Sequence, residues 1–156
     1  MKPDIIKHAR GRLPFLSGGQ TVYEWEQTLD EIHVYIVLPL GVRKSDLEIS
    51  FRPKINVGIK TNPPYLSCLP AGVINSEESL WVIEDNELHL IIHKGRKGET
   101  WKSAFEGHGT VNPLVLDETK KKLMLERFQQ EHPGFDFSDA EFTGTAPDPR
   151  NFMGGI

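Results

Sequence analysis

"LWVIEDNELHLIIHK" occupies residues 80–94. Leu88, Leu90 and Ile92 recur at a spacing of two, which puts them on one face of an extended strand. "LWVIED" before it is a second strand-like run, and Asp85-Asn86 between the runs is a two-residue hairpin candidate without the usual glycine. The pattern repeats upstream. "TVYEWEQT" (21–28) sets Val22, Glu24 and Glu26 against Tyr23, Trp25 and Gln27. "EIHVYIVLP" (31–39) sets Ile32, Val34, Ile36 and Leu38 against His33, Tyr35 and Val37. "DLEISFR" and "KINVGIK" continue it, and turn residues separate the runs: Leu29-Asp30, Pro39 to Gly41, Arg52-Pro53 and Asn62 to Pro64. Six or seven short strands in about 75 residues leave no room for crossover helices. They predict an all-β, antiparallel β-sandwich of about seven strands.

The flanks read differently. Residues 1–20, with Pro3, Pro14 and Gly18-Gly19, are expected to be a flexible leader, and 21–106 the sandwich. After Lys94, Trp101 and Phe105 at i, i+4 suggest one or two helical turns. Asn112-Pro113 then opens a helix, with Asp117 as an alternative cap, and Met124, Leu125 and Phe128 form its apolar group. His132-Pro133-Gly134 ends it. Residues 107–144 therefore form a C-terminal α-helical extension with an aromatic strap, and 145–156 a loose tail. Fixing residues 133–142 costs roughly 10–20 kcal/mol. Burying Phe135, Phe137 and Phe142 returns about 2–3 kcal/mol each. The strap is thus expected either to pair with a sheet edge or to order on a partner.

The chain has 156 residues, 38% hydrophobic and 26% charged, with a net charge of −4. That is one domain with extensions, without the basic excess that nucleic acid requires. No run approaches the ~18 apolar residues of a membrane span, and no apolar signal segment opens the chain. A single cysteine, Cys68, excludes an intrachain disulfide, and a cytoplasmic setting is expected.

The motifs of catalysis are missing. His89 and His93 would be a metal pair on a helix, but on a strand their Cβ atoms lie roughly 13 Å apart. Cys68 has no basic neighbour in sequence and no nucleophile-elbow glycines. Asp136, Asp139 and Glu141 do not follow calcium-loop spacing, and the glycines match no nucleotide-binding motif. Neither catalytic residues, nor a metal, nor a cofactor are expected. Aromatic residues are the usual anchors of a protein-binding patch. The candidates for partner binding are His33, Tyr35, Trp101, Phe105, Phe135, Phe137 and Phe142, with intramolecular packing as the alternative role of the aromatics.

Three stretches, "YEWEQTLDEIHVYIVLPLG" (23–41), "DLEISF" and "SLWVIEDNELHLIIHKGRKGETW" (79–101), resemble a CS domain, the p23-like β-sandwich of the NudC proteins. "KLMLERFQQEHPGFDFSDAEFTG" (122–144) resembles the domain-2 branch of that family, as does Trp101 followed by Lys102 rather than by a second tryptophan. Residues 61–79 depart from the family pattern, with Pro70-Ala71 where a Lys-Gly step is common. The resemblance implies a non-enzymatic co-chaperone acting with Hsp90. Its implied clients are β-propellers such as the dynein regulator Lis1, and its implied setting is the cytoplasm near microtubules, centrosomes and dynein-associated complexes. Alternatives are an ATP-independent holdase of the small-heat-shock type and, last, a small Cys/His enzyme. A homodimer through the helix is a further expectation.

Overall fold

The computed structural model describes residues 11–134. The chain divides into two compact units, one ending at Thr110 and the other beginning at Val111.

Among its described residues the first unit holds eight strands: β1 (Leu13–Ser17), β2 (Gln20–Gln27), β3 (Glu31–Val37), β4 (Leu47–Ser50), β5 (Ile55–Ile59), β6 (Leu66–Cys68), β7 (Ile74–Glu84) and β8 (Glu87–Lys94). They form two antiparallel sheets in a sandwich-like arrangement, ordered β1-β2-β3-β8-β7 and β4-β5-β6. The core draws on the faces that alternation predicts. Ile32, Val34 and Ile36 of β3 and Leu88, Leu90 and Ile92 of β8 are buried, with Tyr23 and Trp25 of β2, and with Leu47, Ile55, Val57 and Leu66 of the smaller sheet.

The β7–β8 hairpin closes on Asp85-Asn86 as expected. Both residues take positive φ, 50° and 62°, the left-handed conformation that asparagine and aspartate tolerate best among non-glycine residues. Asn86 also fastens the turn: its Nδ2 donates to the Leu38 carbonyl at 2.8 Å, and its own carbonyl accepts from the Leu38 N–H at 3.0 Å.

Three expectations need correction. Residues 13–17 do not belong to a flexible leader. They form edge strand β1, paired with β2 from Leu13↔Trp25 to Ser17↔Gln20 around the Gly18-Gly19 turn. Pro14 obscures the alternation, yet an edge strand tolerates a proline because one side of its backbone needs no partner. Second, β7 starts at Ile74, well before the run at 80–84, and passes through an irregularity between Asn75 and Leu80. Third, no helix forms at Trp101–Phe105. Phe105 instead bridges Pro70, with Ala71 N–H donating to Ala104 O (3.1 Å) and Glu106 N–H to Leu69 O (2.9 Å). This segment covers the continuation of edge strand β6.

One buried polar cluster fixes that segment. Lys94, at the end of β8, is only 8% exposed. Its ammonium donates to Gln27 Oε1 (3.0 Å), Thr28 O (2.8 Å) and Glu99 O (2.6 Å). Gln27 in turn accepts from Trp101 N–H and donates to Trp101 O, both at 2.9 Å. The Trp101 indole then packs over Gly72, where a Cβ would lie 2.7 Å from the ring.

The second unit carries α1 (Pro113–Glu131). Asn112 Oδ1 accepts from Leu114 N–H at 2.8 Å and Pro113 opens the first turn, while His132 N–H closes on Phe128 O at 2.9 Å. Cap and stop are those read from the sequence. Leu123 and Leu125 are buried, but Met124 is exposed rather than part of the apolar group. The Phe135, Phe137 and Phe142 strap lies outside the described residues.

Removing the Lys94 ammonium takes a donor from the part-buried Thr28 and Glu99 carbonyls and one of two donors from Gln27 Oε1. Lys94→Met is expected to cost about 2–4 kcal/mol of stability, read as a lower urea midpoint at unchanged slope. Gln27→Leu should cost a similar amount, and the double variant less than the sum, since both act on one network.

Candidate functional site

The outward face of the larger sheet carries a connected polar network. Register brings Glu24 opposite Tyr35 and Glu26 opposite His33 between β2 and β3, and Glu31 opposite His93 and Tyr35 opposite His89 between β3 and β8. Tyr35 O–H donates to Glu26 Oε2 at 2.6 Å. The Arg12 guanidinium lies 3.4 Å from the centre of the Tyr35 ring and reaches Glu87 (3.0 Å) and Glu24 (3.4 Å). His33 Nδ1 meets His89 Nε2 at 2.8 Å, while His33 Nε2 meets Glu31 at 3.0 Å and His93 Nε2 meets the other Glu31 oxygen at 3.5 Å. The His89 ring stacks on Tyr35 with centroids 4.5 Å apart.

The candidate residues fall into three groups. His33 and Tyr35 do share this face, but Tyr35 is buried at 9% exposure, with its hydroxyl bonded and its ring covered by Arg12. It stiffens the face rather than offering a free anchor. Burial first, and the bond to Glu26 second, push its hydroxyl pKa upward. Trp101 and Phe105, at 3% and 0% exposure, are core residues, so they cannot serve as surface anchors while the fold is intact. Phe135, Phe137 and Phe142 lie outside the described residues.

Sequence reasoning did not find His108. Phe15 stacks on its ring (centroids 4.0 Å, planes 8° apart), and Phe105 meets it edge-on at 5.6 Å. Its Nδ1 lies 2.7 Å from Tyr23 Oη and its Nε2 3.5 Å from Cys68 Sγ. The imidazole therefore joins β1 and β2 of one sheet to β6 of the other. A basic neighbour for Cys68 does exist, 40 residues away in the chain. Tyr23 O–H donating to Nδ1 would leave N–H at Nε2, aimed at the sulfur; this assignment satisfies the buried hydroxyl. So arranged, the histidine bonds across the sheets and is not free to take a proton from the thiol.

Among the described residues no group of three or more His, Cys, Asp or Glu side chains is placed to hold a metal ion. No helix among them is long and apolar enough to cross a membrane. An apolar groove of about 440 Å³ opens at one end of the sandwich, between Ile36–Pro39 and Gly58–Tyr65.

Residues 21–94 match the CS domain model. The chain is 32% identical over 130 residues to human NudC domain-containing protein 2, covering 78% of this chain and 79% of that protein. The chain belongs to the NudC family of CS-domain proteins. It is also 29% identical over 152 residues to the nuclear movement protein nudc of Schizosaccharomyces pombe, covering 75% of this chain and 91% of that one. The solution structure of the CS domain of the human KIAA1068 protein superposes with a TM-score of 0.50 at 20% identity, over 58% of this chain and 77% of that one. That last likeness bears on the fold alone.

Two histidines carry lowered pKa values. His89 is depressed by burial first, then by the charges of His33 and Arg12; His108 is depressed by burial. An unfolded histidine binds a proton near its ordinary 6.5, and these resist it when folded. Their stabilising effect is therefore complete above pH 6.5 and is lost as pH falls through the depressed values. The urea midpoint should drop as pH falls below about 6.5, and less steeply in His89→Gln; equal slopes would contradict the assignment. His108→Ala should cost about 2–3 kcal/mol at neutral pH, from lost ring contacts and a hydrogen bond, measured in the same titration.

Proposed function

We propose that the chain is a non-enzymatic co-chaperone of the NudC type, working without a cofactor. It holds client proteins, β-propellers such as Lis1 among them, and passes them to or from Hsp90 in the cytoplasm, on the dynein pathway. One observation carries the reading. The likeness to human NudC domain-containing protein 2 spans 78% of the chain, well beyond the CS domain at 21–94, and nearly the same share of the relative. The shared stretch is longer than the CS domain alone. Relatives in Schizosaccharomyces pombe and Drosophila melanogaster are named for nuclear movement and nuclear migration, which agrees with a place on the dynein pathway.

The surface supports the reading physically. The larger sheet presents a stiff, hydrogen-bonded face, and apolar side chains remain exposed around it: Val37, Leu40 and Tyr65 near the groove, Leu80 and Val82 on β7. A holder of partly folded clients needs such area on a frame that does not itself collapse onto it.

The direct test heats a β-propeller protein with and without the chain, in the absence of ATP, and follows light scattering. The same chain, immobilised, is probed for retained Hsp90. Suppressed scattering at near-equimolar ratio together with Hsp90 retention is expected. Unchanged scattering and no Hsp90 would overturn the proposal. Suppression without Hsp90, by a chain that elutes as a large oligomer, would favour the small-heat-shock alternative.

A further inference from the structure

Four strands form the edges of the two sheets among the described residues. Three are guarded. β1 is five residues long, contains Pro14, and is irregular between Phe15 and Leu16, features that blunt an edge. β4 has four residues. The continuation of β6 is covered by Ala104–Glu106. The fourth, β7, is the longest strand among the described residues at 11 residues, and none of its residues is buried. It pairs regularly with β8 from Leu80 to Glu84, and no strand among the described residues lies on its other side.

Burial along β7 is unfinished on both faces. Leu80 and Val82 point outward at 44% and 38% exposure, while Trp81 and Ile83, on the inward face, are only half-buried. A strand added beside β7 would satisfy the open backbone groups and complete the burial of these four side chains together. The flanking charge selects the newcomer. Glu77, Glu78, Glu84 and Asp85 are all exposed, and among the described residues Arg52 lies 3.7 Å from Glu77. A second copy of β7 would bring the same four carboxylates against them. A cation is already accommodated at this edge: Lys44 Nζ lies 5.6 Å from the Trp81 ring centre.

We infer that β7 is a docking edge for an extended segment of a partner protein in which apolar residues alternate with Lys or Arg. The segment adds as a sixth strand to the larger sheet, its apolar residues beside Leu80 and Val82. Its cations lie on the other face, where their stems lie along Trp81 and Ile83, while the flanking carboxylates draw the positively charged strand to this edge. The inference deepens the co-chaperone reading and rests on it, since an exposed strand of that kind is what a partly folded β-rich client offers.

The test titrates the full chain with an alternating Lys–Val peptide of about eight residues, and separately with its Glu–Val counterpart. Amide exchange at 80–84 and tryptophan emission are followed; Trp25 and Trp101 are buried, so Trp81 is the tryptophan that a surface ligand reaches. The Lys–Val peptide is expected to slow exchange at alternate residues of 80–84 and shift the emission. The exposed charge reversals Glu78→Lys with Glu84→Lys should weaken its binding at least about tenfold. Equal binding of both peptides, protection centred on His33 and His89 instead, self-association through β7, or no binding would each overturn the inference. No peptide binding with client aggregation still suppressed overturns the edge alone. Peptide binding at β7 without client suppression overturns the co-chaperone reading and leaves the edge standing.

Discussion

The Lys94 ammonium, buried among three oxygen acceptors, is the constraint on which the sandwich depends. It lies at the end of β8, touches the end of β2 through Gln27, and holds the chain beyond β8 through Glu99. Gln27 doubles the tie by pairing with both backbone groups of Trp101. A charge this buried is tolerable only when its donors are engaged. The cost of breaking the arrangement is what keeps residues 99–106 on course. From there the chain reaches Phe105, which covers β6, and His108, which bonds across the two sheets. Closure of the sandwich thus depends on a local electrostatic demand as well as on apolar area.

The central strands are legible because one face of each is apolar and fully buried while the other carries mostly polar side chains. Ile32, Val34 and Ile36 against His33 and Val37 can be read in only one register. β1 was hidden because an edge strand is under weaker demands: Pro14 and an irregularity cost it little and erase the pattern. Trp101 and Phe105 misled for a geometric reason. A spacing of four is shared by a helix face and a strand face, so the pair alone could not separate the two. The polar partners decided it, and they sit 74 residues back at Gln27.

The same distance rule explains the site. His33, Tyr35, His89 and His93 could be placed on one outward face from alternation, since each lies within a strong strand. That they would be tied into one network was not legible. Arg12 comes from a segment without pattern, and its carboxylate Glu87 is 75 residues away. His108 is separated from Tyr23 by 85 residues and lies in a glycine-rich loop without periodicity. Aromatic composition therefore misidentified anchors: Trp101 and Phe105 are large and apolar, and the fold uses them for itself.

What remains for partners follows from that distribution. The outward face around Tyr35 is tied into a network of its own, so a ligand there must displace existing partners before gaining new ones. β7 differs. Its open backbone edge has groups to offer without breaking anything, and its apolar side chains are incompletely covered. The two regions are nonetheless one surface, because Val82 stands opposite His89 and Leu80 opposite Ile91. Pairing with β8 holds β7 extended, and acidic residues at its ends discourage pairing with a second copy. A rigid sheet with one long edge unpaired among the described residues, and an excess of carboxylates along it, is suited to receive strands selectively without itself aggregating.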